Sequence, residues 1–440
     1  MKRRIVVVGL DGVPFSLIDR LTRQEVMSHT GKVIAQGKFQ KMSSSIPEVS
    51  SVAWSSIITG ENPGQHSIFG FTDLIPKTYR LRFPSFSDLH SQPFWVENNL
   101  QSILINIPAT YPVKELNGVH ISGFVSVELD KAVYPDSLIP FLKKIDYRLD
   151  TDSALAHKSL DLFLEDLDKT LTSQITLYRH LWNRQPWELF FLVFTGTDRL
   201  MHFLWKAYRD EKDQYHQDFL NHFRKIDGVI GEISANLNPN DLLLIISDHG
   251  FENINNNVNI NFLLKEEGLL KSRENPPQSP FCKGGRRGIR GEEGGEERME
   301  LPVGEGTRAF ALDPARIYLN RRGKYPKGSV SDPECEALLK KLMALFSNLE
   351  KDGEKVIRSV YRKEEIYHGP FLEQAPDIIL VGARGFNLKA NFKATQIYSR
   401  DIFTGKHSQD DAFLAVNSPE VAIPEILNVC DIPGIITQTQ

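Results

Sequence analysis

Seven side chains between positions 11 and 407 have types that could bind divalent cations or act as a nucleophile. Asp11 follows the apolar run Ile5 to Gly9, and Asp248 and His249 follow the apolar run Leu242 to Ser247. Asp198 and His202 stand four residues apart, a spacing that puts both on one face of a helix. His407 lies in Gly405-Lys406-His407, read as a loop ahead of the apolar Ala412 to Val416. Ser50 opens the stretch Ser50 to Ile58, read as a helix of about two turns with Ser50 at its N-cap. Taken singly these signals are ordinary. An Asp-x-x-x-His pair is most often a solvated helix face, and a serine at a helix start most often only caps it. Together, three aspartates, three histidines and one hydroxyl are an inventory for two cations held by mixed nitrogen and oxygen ligands, as zinc or manganese accept. The unpaired N–H groups and positive dipole end of a helix would favour an alkoxide or a bound phosphate beside Ser50.

The elements that must position this set are of a recognisable kind. Ile5 to Gly9, Leu189 to Phe194 and Leu242 to Ser247 are continuous apolar runs, as strands buried on both faces are. Ligand-bearing residues follow each run, and in open α/β sheets ligands bind at the carboxyl ends of the strands. Ile103 to Ile107 and Val119 to Ser122 read as further strands, as do Ala309 to Asn320 and Ala375 to Val381. Residues 154–187, 212–236 and 333–348 read as helical, and a helix carrying His202 begins after Thr195-Gly196. The Asn-rich tract 253–261 reads as an ordered loop. Thr59-Gly60 and Asn62-Pro63-Gly64 end the Ser50 helix. The glycines after the first strand do not form the spacing of a dinucleotide site.

With 440 residues, 41% hydrophobic and 25% charged, the chain suits a large soluble α/β fold. We expect a single domain over 1–440, interrupted at 271–300 by a segment rich in glycine, proline and charges of both signs. That segment offers too little apolar surface to offset its ordering entropy and is expected to be disordered. A net charge of -4 argues against a nucleic-acid polymer as partner. Cys282, Cys335 and Cys430 are widely spaced, without disulfide or metal patterning. The apolar run after Met1-Lys2-Arg3-Arg4 is too short for a signal peptide, and no stretch approaches a membrane span, so a cytoplasmic location is expected. Nothing here sets the oligomeric state.

The order of motifs resembles the type I phosphodiesterase/nucleotide pyrophosphatase family of the alkaline phosphatase superfamily. Asp11-Gly12 comes first, then the Pro47 to Phe71 stretch, Asp198-x-x-x-His202, Asp248-His249-Gly250 and Gly405-x-His407. Asn106 to Pro112 and Val258 to Asn261 extend the likeness, which runs from residue 4 to about 420 apart from 271–300. The resemblance implies a three-layer sandwich, a central mostly parallel sheet flanked by helices, with loop and cap insertions. It implies two divalent metals, zinc first and manganese as the other candidate. Asp11, Asp248, His249 and Ser50 would hold one; Asp198, His202 and His407 would hold the other. Ser50 would carry a phosphoserine intermediate in the hydrolysis of a small phosphate ester.

The chain departs from the family pattern in places. Serine replaces the common threonine nucleophile, Val52 replaces a proline, and Ser67 a glycine. Phe71 stands where nucleotide-cleaving members carry a phosphate-holding asparagine. A phosphomonoesterase or phosphomutase of the same superfamily therefore stays open, as does a binding protein that kept the fold without catalysis. The Cys/Ser-x-Pro-x-Arg element of a sulfatase is missing at the nucleophile.

Overall fold

The structure is a computed structural model that describes residues 3–438 apart from 125, 127 and 273–299. The insertion expected to be disordered, 271–300, lies outside the described residues except for Lys271, Ser272 and Glu300. The described residues gather into two compact units, one from 1–61, 85–251 and 407–440, the other from 62–84 and 252–406.

The first unit is built on an eight-stranded sheet. In chain order its strands are β1 (Ile5–Leu10), β2 (Lys38–Met42), β3 (Ser102–Ile107), β4 (Gly118–Ser122), β5 (Val133–Tyr134), β6 (Leu189–Phe194), β7 (Leu242–Ile246) and β8 (Ala412–Val416). Across the sheet they run β2-β8-β7-β1-β6-β3-β4-β5. The five central strands, β7 to β4, are mutually parallel, and antiparallel strands close both edges. β1, β6 and β7 are buried at every residue, which explains their unbroken apolar sequences. Helices flank the sheet, as the expected architecture requires. Helices Phe15–Arg23, Ser28–Gln36, Leu160–Trp182, Gly196–Arg209 and His216–Ala235 pack on one another, while Ser50–Thr59 packs with Ile432–Thr437.

Register sets the positions that matter. β1 is paired on one side with β6 (Ile5 opposite Leu189) and on the other with β7 (Ile5 opposite Leu242). The three strands run in step and end together, so Asp11, Thr195 to Asp198, and Asp248-His249 leave the sheet at one end. Gly9 on β1 is required there: a Cβ would come within 2.5 Å of the Trp54 ring and 2.9 Å of Val193.

The second unit contains a four-stranded antiparallel sheet, in the order Ala309–Leu312, Arg316–Leu319, Ile378–Gly382 and Ile357–Arg362. Ala309 to Asn320, expected as one strand, is a hairpin turning at Asp313 to Ala315. The Asn-rich tract, expected as a loop, contains the strand Asn256–Asn259, paired with Phe386–Lys389 and with Tyr398–Ser399. Arg316 is fully buried; it donates to Asp73 Oδ1 at 2.8 Å and to the Thr72 carbonyl at 2.6 Å. The guanidinium fills the space over Gly70, where a Cβ would meet it at 2.4 Å.

Candidate metal centre

All seven candidate residues belong to the first unit, and the structure brings them together. Asp11 caps the carboxyl end of β1. The helix Ser50–Thr59 starts at Ser50, with Val49 as its cap in extended conformation, so Ser50 is the first helical residue and not the N-cap expected. The difference is one position: Val49 supplies the carbonyl that accepts from Val52 and Ala53, leaving the Ser50 and Ser51 amides without partners inside the helix. Ser50 Oγ lies 3.1 Å from Asp11 Oδ1 and 3.2 Å from His249 Nε2, whereas the buried Ser51 Oγ has no hydrogen-bond partner. His407 sits on the short strand Gly405–Ser408 rather than in a loop.

Two overlapping groups emerge. Asp198, His202 and His407 offer ligand atoms within 4.8 Å of one another, as do Asp11, Asp198 and His249. Asp198 is common to both. Asp248 adjoins the second group, its Oδ2 3.3 Å from His249 Nε2.

Each aspartate has one oxygen tied back and one turned inward. Trp54 Nε1 donates to Asp11 Oδ2 at 3.0 Å, leaving Oδ1 toward Ser50. The Gly12 amide donates to Asp248 Oδ1 at 2.9 Å, leaving Oδ2 buried without a hydrogen-bond partner. Arg199 Nη1 donates to Asp198 Oδ2 at 2.8 Å, leaving Oδ1 toward His407 and His202, at 3.0 and 3.4 Å from their Nε2 atoms. Gly12 is shaped for this place by its φ of +72°; a Cβ would approach His249 and Asp198 at 3.0 and 3.2 Å.

The imidazoles are oriented in the same way. His407 Nδ1 is 2.8 Å from the Glu48 carbonyl and His249 Nδ1 is 3.1 Å from the Gly250 carbonyl. A carbonyl only accepts, so each Nδ1 carries the proton and each Nε2 presents a lone pair. The two rings stack with centroids 3.8 Å apart. Bare His407 Nε2 then faces the acceptor Asp198 Oδ1 at 3.0 Å. Two acceptors at that distance repel unless a proton or a cation stands between them. With the orphaned Asp248 Oδ2, this contact is the sign that the donor set fits metal.

Charge points the same way. Burial, then Asp248 and Asp198, push the Asp11 carboxyl well above the usual range. Burial pushes Asp248 up to about 8 against the opposing Gly12 hydrogen bond. Burial also drives His249 down to about 4 and lowers His407, keeping both imidazoles neutral near pH 7. Burial would raise Asp198 as well, but among the groups around it the Arg199 guanidinium, donating to its Oδ2, helps hold it below the usual carboxylate range. A crowd of buried carboxylates and neutral imidazoles is a site short of positive charge.

Sequence reasoning missed the residues that tie the candidate ligands back. Arg199, beside Asp198, was visible as a cation next to a candidate ligand. Trp54 reads as an apolar helix residue, and only the fold turns its indole N–H to Asp11.

The class thus defined is an α/β protein with carboxylate and imidazole side chains gathered at the ends of parallel strands. The profile of the type I phosphodiesterase/nucleotide pyrophosphatase family matches residues 5–410, and the chain belongs to this family of hydrolases. Among solved structures, the fold is similar to phosphonoacetate hydrolase from Sinorhizobium meliloti 1021 in complex with phosphonoacetate. That likeness has a TM-score of 0.66 and 14% identity, covering 100% of this chain and 96% of the other. It is also similar to inactive murine ectonucleotide pyrophosphatase/phosphodiesterase 5 in complex with AMP, with a TM-score of 0.56 and 13% identity over 100% and 95% of the two chains. No curated protein matches the sequence. Among the described residues no helix is long and apolar enough to cross a membrane.

Proposed function

We propose that this chain is a dinuclear metal-dependent phosphoric ester hydrolase of the phosphodiesterase type, acting through a phosphoserine on Ser50. The observation that carries the reading is Ser50 Oγ at a helix start, 3.1 Å from Asp11 Oδ1 and 3.2 Å from His249 Nε2, beside the inward-turned oxygens of Asp198 and Asp248. Asp11, Asp248, His249 and Ser50 would hold one metal and Asp198, His202 and His407 the other, with Asp198 Oδ1 near both. Zinc suits the mixed carboxylate and imidazole donors, and manganese is the alternative. When bound, such a pair supplies Lewis-acid stabilisation of the phosphoryl oxygens and a lowered pKa for the serine hydroxyl.

The chain's own residues do the rest. Val49 and the helix behind it hold Ser50 Oγ facing the site, and the unpaired amides at the helix start offer donors to a phosphoryl oxygen. Ser50 Oγ forms the new P–O bond while the ester oxygen leaves from the opposite side. Asp11 Oδ1 and His249 Nε2, the polar atoms beside Ser50 Oγ, would have their lone pairs committed to the cation, so the serine proton passes to water, and water returns one to the departing ester oxygen. Water then cleaves the phosphoserine, returning the hydroxyl and releasing the phosphoryl product. The substrate is a small phosphate ester. The complexes of the two similar proteins, with phosphonoacetate and with AMP, make phosphonates and nucleotides the first compounds to try.

The test is hydrolysis of p-nitrophenyl phosphate and bis-p-nitrophenyl phosphate by chelator-treated protein, before and after adding zinc or manganese. Metal-restored cleavage of the diester supports the reading. Cleavage of the monoester alone favours the phosphomonoesterase alternative. Protein that takes up metal yet cleaves neither compound, nor any phosphonate or nucleotide ester, favours a binding protein.

A further inference from the structure

Asp198 and Arg199 are neighbours in the first turn of the helix Gly196–Arg209. Adjacent residues on a helix point about 100° apart and do not meet by default. Here they do, because Arg199 is bent back and held by a distant segment. Its Nη2 and Nε lie 3.1 and 3.4 Å from Asp150 Oδ2, and its guanidinium carbon lies 4.2 Å from the centre of the Phe124 ring. Asp150 is itself fixed by its surroundings. Two residues before it, Arg148 pairs with Asp166, and two residues after it the Asp152 amide donates to the same Asp166 at 2.9 Å.

The consequence falls on Asp198. With Oδ2 taken by Arg199 Nη1 at 2.8 Å, only Oδ1 remains to face His407 and His202. The carboxylate cannot rotate to offer both oxygens to one cation. Asp150 has a second effect. An arginine paired with Asp198 alone would cancel its charge and compete with metal; shared between two acids, it orients the carboxylate while leaving it anionic. We infer that Arg199, locked by Asp150 and Phe124, is a positioning residue that makes Asp198 a one-oxygen metal ligand. Lysine cannot substitute, since an ammonium lacks the planar fork that spans two carboxylates and stacks on a ring.

The inference rests on the metal reading proposed above, and zinc itself is the probe. Zinc affinity is measured by competition with a chromophoric chelator on full-length wild type, Arg199→Gln, Arg199→Lys and Asp150→Asn, alongside absorption spectra of the cobalt(II)-loaded proteins. Wild type should bind two zinc ions. Arg199→Gln should weaken the site of Asp198, His202 and His407 by about 10–100-fold, the usual effect of losing a group that orients a ligand, and the site of Asp11, Asp248 and His249 by less. The cobalt bands of the weakened site should change, Arg199→Lys should fail to restore them, and Asp150→Asn should shift both readouts in the same direction by less. Should Arg199→Gln not fold, Asp150→Asn, which keeps the arginine, carries the comparison. Unchanged affinity and spectra in Arg199→Gln and Asp150→Asn overturn the inference, and so does full rescue by lysine, which would reduce the role to charge. Wild type that binds no zinc or cobalt overturns the metal reading instead.

Discussion

Trp54 Nε1 donates to Asp11 Oδ2 across 3.0 Å while the same ring fills the space over Gly9, two residues before Asp11. One side chain therefore sets both the packing of the first strand and the aim of the carboxylate at its end. Trp54→Phe keeps most of the ring and removes the donor. A buried acceptor left unsatisfied costs about 1–3 kcal/mol, and metal affinity on the Asp11 side should fall about 10–100-fold. Calorimetric melting with chelator present and zinc titration of the same variant separate the two effects. Unchanged zinc affinity would show that the indole only packs.

Gly9→Ala tests the other half of that relationship. The added methyl cannot be accommodated unless the Trp54 ring moves, and overpacking of this kind costs about 1–3 kcal/mol. Urea denaturation should show the loss, and zinc affinity should fall with it because the indole carries Asp11. A variant as stable as the parent would mean that the ring repacks freely.

For the nucleophile, Ser50→Ala should lower turnover ~10³-fold or more, as loss of a nucleophile does elsewhere, and should abolish any phosphoryl adduct. Ser51→Ala should keep both. Acid-quench mass spectrometry of protein mixed with substrate reads the adduct directly. An adduct mapped to Ser51, or one surviving in Ser50→Ala, would falsify the assignment.

Metal binding should be linked to pH. In the metal-free site Asp11 and Asp248 have raised pKa values, Asp248 at about 8. Between the unfolded carboxylate value of ~3.9 and these raised values, the folded chain binds protons that the unfolded chain has released. Stability of the metal-free protein should therefore decline as pH rises from about 5 to 8. Zinc displaces those protons, so its affinity should rise over the same interval. Melting curves at pH 5.5 and 8, with chelator and with zinc, should show the larger metal-induced shift at pH 8. An equal shift at both pH values would place no proton on the site.

The second unit offers a test independent of the chemistry. Asp73→Ala leaves Arg316 buried and uncompensated, a change that costs about 3–5 kcal/mol. Replacing both partners by apolar residues, Asp73→Leu with Arg316→Met, should recover most of that loss in urea titrations. A double variant as weak as the single would show that the Thr72 and Asp313 carbonyls, which also accept from Arg316, dominate.

The parts of the fold that could be read in the sequence are those whose signal is local. The β1, β6 and β7 strands announce themselves because burial on both faces demands unbroken apolar runs, and a candidate ligand follows each one. The strand Asn256–Asn259 was hidden because polar residues gain their strand geometry from partners more than 100 positions away, Phe386–Lys389 and Tyr398–Ser399. His407 read as a loop residue because Gly405 and Lys406 carry no strand pattern. The one-residue displacement at Ser50 reflects Val49, whose extended backbone caps the helix without any side-chain hydrogen bond to mark it. Asp150 had no local signal, since its role exists only where the chain brings it to Arg199.

If the site takes metal as proposed, the ties from Trp54, Gly12 and Arg199 bear on when the ion would arrive during the life of the protein. Indole, amide and guanidinium donors of the protein aim these carboxylates, so on that reading the fold would set their orientation, unlike the ligands of small domains that fold only around zinc. Newly made chains would then fold first and take up metal afterwards. In a metal-starved cell they would accumulate as a folded, idle reserve, brought into service by supply of the ion without new synthesis.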